Sequence, residues 1–426
     1  MKNTINISVL CGRDYVAATG KPQVVYSLVE LTPAGDNGPR VPANFCLVLD
    51  RSGSMEGAKM DSLKKAVEGA LARMTPKDRV SIVIFDDEVE VLVPSQPVTD
   101  PKEIMGKVTA VIPRGGTQIG QALKKGMEEI DKAVSPDLVN RLLLLTDGQT
   151  WGDEGECLAI AKEAGEKGIA ITTGGIGEEW NENLLLEIAD HSHGDSHWIR
   201  KPEEIASCFM SEMAGMRSVL ASSTEAVLKL SPGASLTHAH RTQPMISEMT
   251  FPKGDHSHTF SLGEVTALKG QSLLFELQVP AKDPGPYRVG QVEISYQPSS
   301  SAGAERVTEK ADIQVEFSTD AALIAKVNSH VMNLVEKISA FKLQTRALKE
   351  AELGNVLMAT RKLEAAATRL LDLGEKDLAA TARAEAQTLT STGKMSGKGT
   401  KKLAYGTRKL TQKIDPEDFE EKQEKI

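Results

Sequence analysis

The stretch Phe45-Cys46-Leu47-Val48-Leu49-Asp50-Arg51-Ser52-Gly53-Ser54-Met55 decides the reading of this 426-residue chain. Five consecutive apolar residues mark a β-strand buried on both faces, as in a parallel sheet covered by helices above and below. The run ends abruptly in an aspartate, two serines and a glycine, so the strand delivers oxygen-bearing side chains to its own carboxyl end. A helix over 59–74 follows, with Met60, Leu63, Val67, Ala70 and Leu71 at helical spacing. The alternation then repeats: strands over 80–85 and 89–93, helices over 101–110 and 118–134, a strand over 141–145, a helix over 155–167, a strand over 169–173 and a helix over 181–189. An edge strand at 197–199 and a closing helix over 203–216 complete it. Strands alternating with helices require right-handed parallel crossovers, so residues 41–217 read as a doubly wound, Rossmann-like α/β domain.

On either side the pattern changes. Residues 1–40 hold two strand-like runs, 5–10 and 23–31, too few to bury a core alone. After about residue 220 the helical patterns stop, and short strand-like segments alternate with turn clusters such as Pro232-Gly233 and Asp283-Pro284-Gly285-Pro286. That spacing fits an antiparallel β-sandwich built from 1–40 plus 220–318, into which the α/β domain is inserted. From 320 to 390 the chain reads as helical, with Leu323, Val327, Val331, Leu334 and Ile338 as an apolar stripe and Gly354 and Gly374 at turns of a helical hairpin or bundle. Residues 391–426 are rich in Gly, Ser and Lys and then acidic, and read as a flexible charged tail.

Composition narrows the function. With 40% hydrophobic and 26% charged residues the chain is a globular protein, not a disordered or fibrous one. A formal charge of −9 repels phosphate backbones and argues against nucleic acid as a partner. Cys11, Cys46, Cys157 and Cys208 are far apart and form no CxxC pair, which suits reduced thiols in the cytoplasm. The first ten residues alternate polar and apolar rather than forming a signal-peptide core, and no run approaches the roughly 18 apolar residues of a membrane span.

Three motifs carry chemistry. Asp50-Arg51-Ser52-Gly53-Ser54-Met55 follows the first buried strand, Gly115-Gly116-Thr117 precedes a helix, and Thr146-Asp147-Gly148 follows another buried strand. In a doubly wound sheet, ligands sit beyond the carboxyl ends of the strands, where the strand order reverses. Two carboxylates, two serine hydroxyls and a threonine hydroxyl make an all-oxygen donor set suited to a hard divalent cation, Mg²⁺ first, with Mn²⁺ or Ca²⁺ as alternatives. With so few anionic ligands the ion keeps net positive character and attracts an external carboxylate.

At these residues the chain resembles the von Willebrand factor A (VWA) domain family, whose metal-ion-dependent adhesion site (MIDAS) has the pattern D-x-S-x-S, a separate Thr, and an Asp in a T/S-D-G turn. The five matching positions are Asp50, Ser52, Ser54, Thr117 and Asp147. The resemblance implies that the serines and the threonine touch the metal directly or through water, and that one aspartate reaches it through water. It also implies that the site captures an Asp or Glu side chain of a protein partner. Intracellular members often serve multiprotein complexes, so the alternative is a Mg²⁺-dependent subunit working beside an AAA+ ATPase of the MoxR or chelatase type. The chain has no phosphate-binding Gly-x4-Gly-Lys-Ser/Thr loop of its own.

The blander readings are an N-capping loop for Asp-x-Ser-x-Ser and a plain turn for Thr-Asp-Gly. Neither serine lies in a Gly-x-Ser-x-Gly elbow, and no histidine is placed beside them by the sequence, so the expectation is an interaction module and not an enzyme. His191/His193, His238/His240 and His256/His258 are His-x-His pairs that could chelate a second metal on a strand, though no third ligand stands nearby in sequence. Trp151, four residues past Asp147, is either a rim contact for the metal site or a core or loop residue.

Overall fold

The computed structural model describes residues 5–34, 41–135, 137–299 and 305–412. The chain opens with β1 (Ile5–Cys11), β2 (Tyr15–Ala17) and β3 (Gln23–Pro33). The α/β domain then runs β4 (Ala43–Asp50), α1 (Ala58–Leu71), β5 (Arg79–Phe85), β6 (Val89–Pro97), α2 (Pro101–Thr109), α3 (Ile119–Asp131), β7 (Val139–Thr146), α4 (Glu154–Glu166), β8 (Ala170–Ile176), α5 (Glu182–Ser192), β9 (Ser196–Ile199) and α6 (Ile205–Arg217). Its six strands stand in the order β6-β5-β4-β7-β8-β9, all parallel except the edge strand β6. β4, β7 and β8 are buried at every position, which is why β4 and β7 carry apolar runs instead of alternation; β8 buries Thr172 and Thr173 as well. The strand order reverses between β4 and β7, and their register sets Leu49 opposite Leu145. Asp50 and Thr146 therefore end adjacent strands at the reversal point, where this kind of sheet holds ligands.

Successive β4 side chains feed two separate cores. Phe45, Leu47 and Leu49 pack with Met60, Leu63 and Val67 of α1 and Phe209 and Met213 of α6. Cys46 and Val48 pack with Ile119, Leu123 and Ile130 of α3 and with α4 and α5. α3 comes close to the sheet because position 126 is glycine: a Cβ there would lie 2.7 Å from both Leu142 Cδ1 and Val48 Cγ2.

After α6 come β10 (Val219–Leu230), β11 (Ser235–Gln243), β12 (Ser247–Glu248), β13 (Ser257–Thr266), β14 (Gln271–Val279), β15 (Gly285–Pro298) and β16 (Val307–Ser318). They join the N-terminal strands in two five-stranded sheets, β1-β3-β14-β11-β12 and β13-β10-β15-β16-β2. β3 pairs antiparallel with β14 along its length, and β2 pairs parallel with β16. Val29, Leu31, Phe275 and Leu277 of the first sheet share one hydrophobic cluster with Leu228, Val292, Ile294 and Ile313 of the second.

The C-terminal part holds a short α7 (Ala321–Ile324), then α8 (Ser329–Glu352), α9 (Val356–Asp372), α10 (Lys376–Thr392) and α11 (Gly397–Arg408). Gly354 and Gly374 sit at the turns with φ of 77° and 78°, a backbone conformation that glycine adopts without strain. The apolar stripe begins only at Val331: the Asn328 side chain caps α8, and Val327 before it is exposed. Two expectations about the chain end need correction. Residues 397–408 are helical, and they are not a solvated arm. Tyr405 is hydrogen-bonded to Ser196 at 2.7 Å and stacks edge-on against Trp180, while Lys401 reaches Glu182 at 2.8 Å and Arg408 reaches Asp190 at 2.6 Å. α11 is thus fastened to the α/β domain by buried contacts that charge composition cannot reveal. The acidic residues 413–426 lie outside the described residues.

Candidate metal centre

Asp50 is the last residue of β4 and is fully buried. Both of its oxygens are engaged: the Ser52 amide donates to Oδ1 at 2.7 Å and the Thr146 hydroxyl to Oδ2 at 2.6 Å. Burial pushes its carboxyl up to about 6, against the lowering hydrogen bonds from Ser52 and Thr146, and the nearby Asp147 charge adds to the rise. A cation placed beside it would relieve that cost.

The loop after β4 turns Ser52 and Ser54 toward the loop after β7. Their hydroxyl oxygens are 3.1 Å apart, and Ser54 donates to Asp147 Oδ1 at 2.7 Å, with Ser52 at 3.4 Å from the same oxygen. Thr117 enters from a third loop. Gly148 makes room for it, since a Cβ at that position would lie 2.7 Å from the Thr117 hydroxyl. Backbone bonds lace the loops together, from Gly53 N to Gly115 O at 3.1 Å and from Arg114 N to Arg51 O at 2.7 Å. Hydrogen bonds thus bring Asp50, Ser52, Ser54 and Asp147 together, and Thr117 lies against Gly148, the residue after Asp147.

Two neighbours escaped the sequence reading. Asp86, buried at the end of β5, bridges Arg51 Nε and Arg114 Nε, each at 2.9 Å, and so clamps the first loop to the loop before Thr117. Burial pushes its carboxyl up, but the Glu88 amide and the two guanidiniums outweigh this and hold it below the usual carboxylate range. The second is Lys59, in the first turn of α1. Its Nζ donates to the Ser54 carbonyl at 3.1 Å and to Asp147 Oδ2, whose side chain has no exposure. A signal for Lys59 did exist: a helix N-terminus disfavours cations, so a lysine there calls for a compensating anion.

The donor set suits a divalent ion. The five candidate side chains all offer hard oxygen atoms, and the carboxylate of Asp147 already draws a cationic group, the Lys59 ammonium, to itself. The serine hydroxyls bond to each other, and Ser54 donates to Asp147.

Among the described residues, the group of three acidic, histidine or cysteine side chains close enough to share an ion is Asp195, His197 and Glu212, within 4.8 Å of one another. These groups are already compensated: Lys269 pairs with Asp195 at 2.9 Å, and Arg141 and His197 pair with Glu212 at 3.2 and 3.3 Å. His197 takes part there without a His-x-His partner. His238 and His240 have ring centroids 6.2 Å apart, and His258 packs on Phe251. Trp151 is 83% exposed, which excludes the core and leaves a loop or rim position, and Ile112 before the Thr117 loop is 74% exposed.

Residues 44–208 match the model of the von Willebrand factor type A domain, and residues 329–413 match that of the Sll0103-like, C-terminal alpha-helical domain. The first of these, with the doubly wound sheet, identifies the central part of the chain as a VWA domain. Over 290 residues the chain is 29% identical to the uncharacterized protein sll0103 of Synechocystis sp., covering 67% of this chain and 69% of the relative. It is 24% identical over 255 residues to the uncharacterized protein YfbK of Escherichia coli, 58% of this chain but 44% of that one, so it spans less than half of YfbK. A solved structure, von Willebrand factor type A from Catenulispora acidiphila, superposes with a TM-score of 0.78 over 95% of this chain and 97% of that one at 18% identity, a likeness of fold. No helix among the described residues is long and apolar enough to cross a membrane.

Proposed function

We propose that this protein is a metal-dependent protein-interaction module, whose VWA domain holds a divalent cation on Asp50, Ser52, Ser54, Thr117 and Asp147. The observation that carries the reading is the meeting of Ser52, Ser54 and Asp147 within hydrogen-bond distance at the strand-order reversal, with Asp50 at the end of β4 and Thr117 in the loop before α3. When bound, Mg²⁺, Mn²⁺ or Ca²⁺ would supply a positive centre able to accept an Asp or Glu carboxylate of a partner. The chain's own residues prepare the place. Thr146 and the Ser52 amide fix the Asp50 carboxylate, Asp147 orients the two serine hydroxyls, and the Asp86 clamp holds the Thr117 loop against them. Trp151 and Ile112 offer exposed apolar surface beside the loops. We read the module as a binding device and not an enzyme. Four buried, unpaired cysteines suit a reducing cytoplasm. In the same reading, the two five-stranded sheets form a sandwich that carries the VWA domain as an insertion, and the helical domain braces it.

The test is a Mn²⁺ titration followed by electron paramagnetic resonance on the full chain. Asp50→Asn, Thr117→Ala and Asp147→Asn should each weaken binding by tenfold or more while circular dichroism stays unchanged. Affinity equal to wild type in all three would refute the assignment.

A further inference from the structure

Lys59 occupies an unusual place. It is the second residue of α1, where the helix dipole opposes a positive charge. Its ammonium nevertheless reaches across to Asp147 Oδ2 and is held by the Ser54 carbonyl at 3.1 Å. The two partners differ in exposure: the Lys59 side chain is 30% exposed and that of Asp147 is 0% exposed. The amine thus leans in from the rim on a flexible stem, and it can withdraw to solvent without disturbing the core. Asp147 is meanwhile shared. One oxygen faces the serine hydroxyls and the other faces Lys59.

We propose that Lys59 is a built-in cation that competes with the divalent ion for Asp147 and sets the affinity of the site. The inference rests on the metal-binding reading given above and adds its regulation. Like charges on one buried carboxylate repel strongly, because the surroundings screen them poorly. A divalent ion entering beside Ser52, Ser54 and Asp147 therefore loosens the ammonium, and the ammonium in turn holds the empty site together by neutralising Asp147. Metal affinity is lower than the oxygen ligands alone would give, and the metal-free protein is spared an uncompensated buried charge. Once released, the amine stands at the rim of the same site.

The experiment uses the full chain as wild type, Lys59→Met and Lys59→Arg, titrated with Mn²⁺ and followed by electron paramagnetic resonance. Lys59→Met should bind Mn²⁺ about tenfold tighter or more, and Lys59→Arg should stay within about threefold of wild type. Melting supplies a second readout. In EDTA, Lys59→Met should melt below wild type because Asp147 loses its partner, and in saturating Mg²⁺ the order should reverse. A third readout is acylation of Lys59 by an amine-reactive reagent, followed by mass spectrometry, which should increase when Mg²⁺ replaces EDTA at constant ionic strength. Equal or weaker Mn²⁺ binding by Lys59→Met, with wild type still binding, overturns the role of Lys59 and leaves the metal centre standing. If neither protein binds Mn²⁺, the metal centre falls and the competition falls with it.

Discussion

Replacing Arg141 with methionine tests whether the VWA domain is locked to the flanking sheet by charge. Arg141, near the start of β7, is buried between Glu212 of α6, at 3.2 Å, and Glu264 of β13, to which it also donates. Its Nε has no hydrogen-bond partner, so the guanidinium is committed to these two carboxylates. Methionine fills a similar volume but takes the guanidinium from both. Glu212 keeps Thr172 at 2.8 Å and His197 at 3.3 Å, whereas Glu264 loses its cation. Breaking a buried pair from one side costs about 3–5 kcal/mol. The pH dependence has a definite sign. Burial pushes the Glu212 carboxyl up, but the His197 hydrogen bond and the Arg141 charge outweigh it and hold the carboxyl below its usual range. Its contribution in wild type is therefore present above the unfolded value, roughly 4.3, and is lost as pH falls through the lower folded value. Without Arg141 the folded carboxyl moves up, so the variant should be weakest near pH 7.5 and approach wild type toward pH 4.5. Urea unfolding followed by tryptophan fluorescence at both pH values reads the effect. A loss under about 1 kcal/mol at pH 7.5, or one that grows on acidification, would refute the argument.

Three further outcomes follow from the same structure. Lys401→Met removes both the buried pair with Glu182 and the ammonium 4.8 Å above the Trp180 ring, and it should cost about 2–4 kcal/mol. Hydrogen exchange at 397–408 should speed up, and unchanged protection would show that α11 is held by other contacts. Gly126→Ala should destabilise by about 1–3 kcal/mol despite alanine's better helix propensity, because the new methyl group meets Leu142 and Val48 at 2.7 Å; a melting temperature at or above wild type contradicts this. Trp151→Ala should leave stability within about 0.5 kcal/mol, given 83% exposure, while weakening capture of a carboxylate-bearing partner in a co-purification assay.

How much of this was legible in the residues depends on how local the cause is. β4 and β7 announced themselves because burial on both faces favours unbroken apolar runs, 45–49 and 142–145, whereas buried polar residues such as Asn44 and Arg141 fall outside those runs. The site was legible for a related reason: three loops at strand ends or helix starts bring short oxygen-bearing side chains to an edge that the strand order defines. α11 was not, because its causes lie elsewhere in the chain. Gly399 and Gly406 look like flexible positions, yet Glu385 and Leu378 of α10 occupy the space their side chains would need. The lysines around them read as solvent-facing, yet Lys401 is buried against Glu182, more than 200 residues away in sequence. Lys59 and Asp86 were missed on the same ground, since their partners Asp147, Arg51 and Arg114 come from other loops. β6 ran on past its predicted end, to Pro97, because an edge strand tolerates polar residues that a central strand does not.

The path of the chain through the VWA domain has a mechanical consequence. The domain is entered at Ala43, the start of β4, and left at Arg217, the end of α6, which runs back antiparallel to the strands. Both covalent connections emerge at the edge opposite the candidate metal-site loops. A pull applied at those loops would pass along the chain through two covalent leads, beside the contacts made by α11 and by Arg141 with Glu264. One ends in β3, clasped along its length by β1 and β14, and the other in β10, clasped by β13 and β15. Each lead would have to be drawn out lengthwise, shearing many rungs of its ladder at once instead of unzipping them singly.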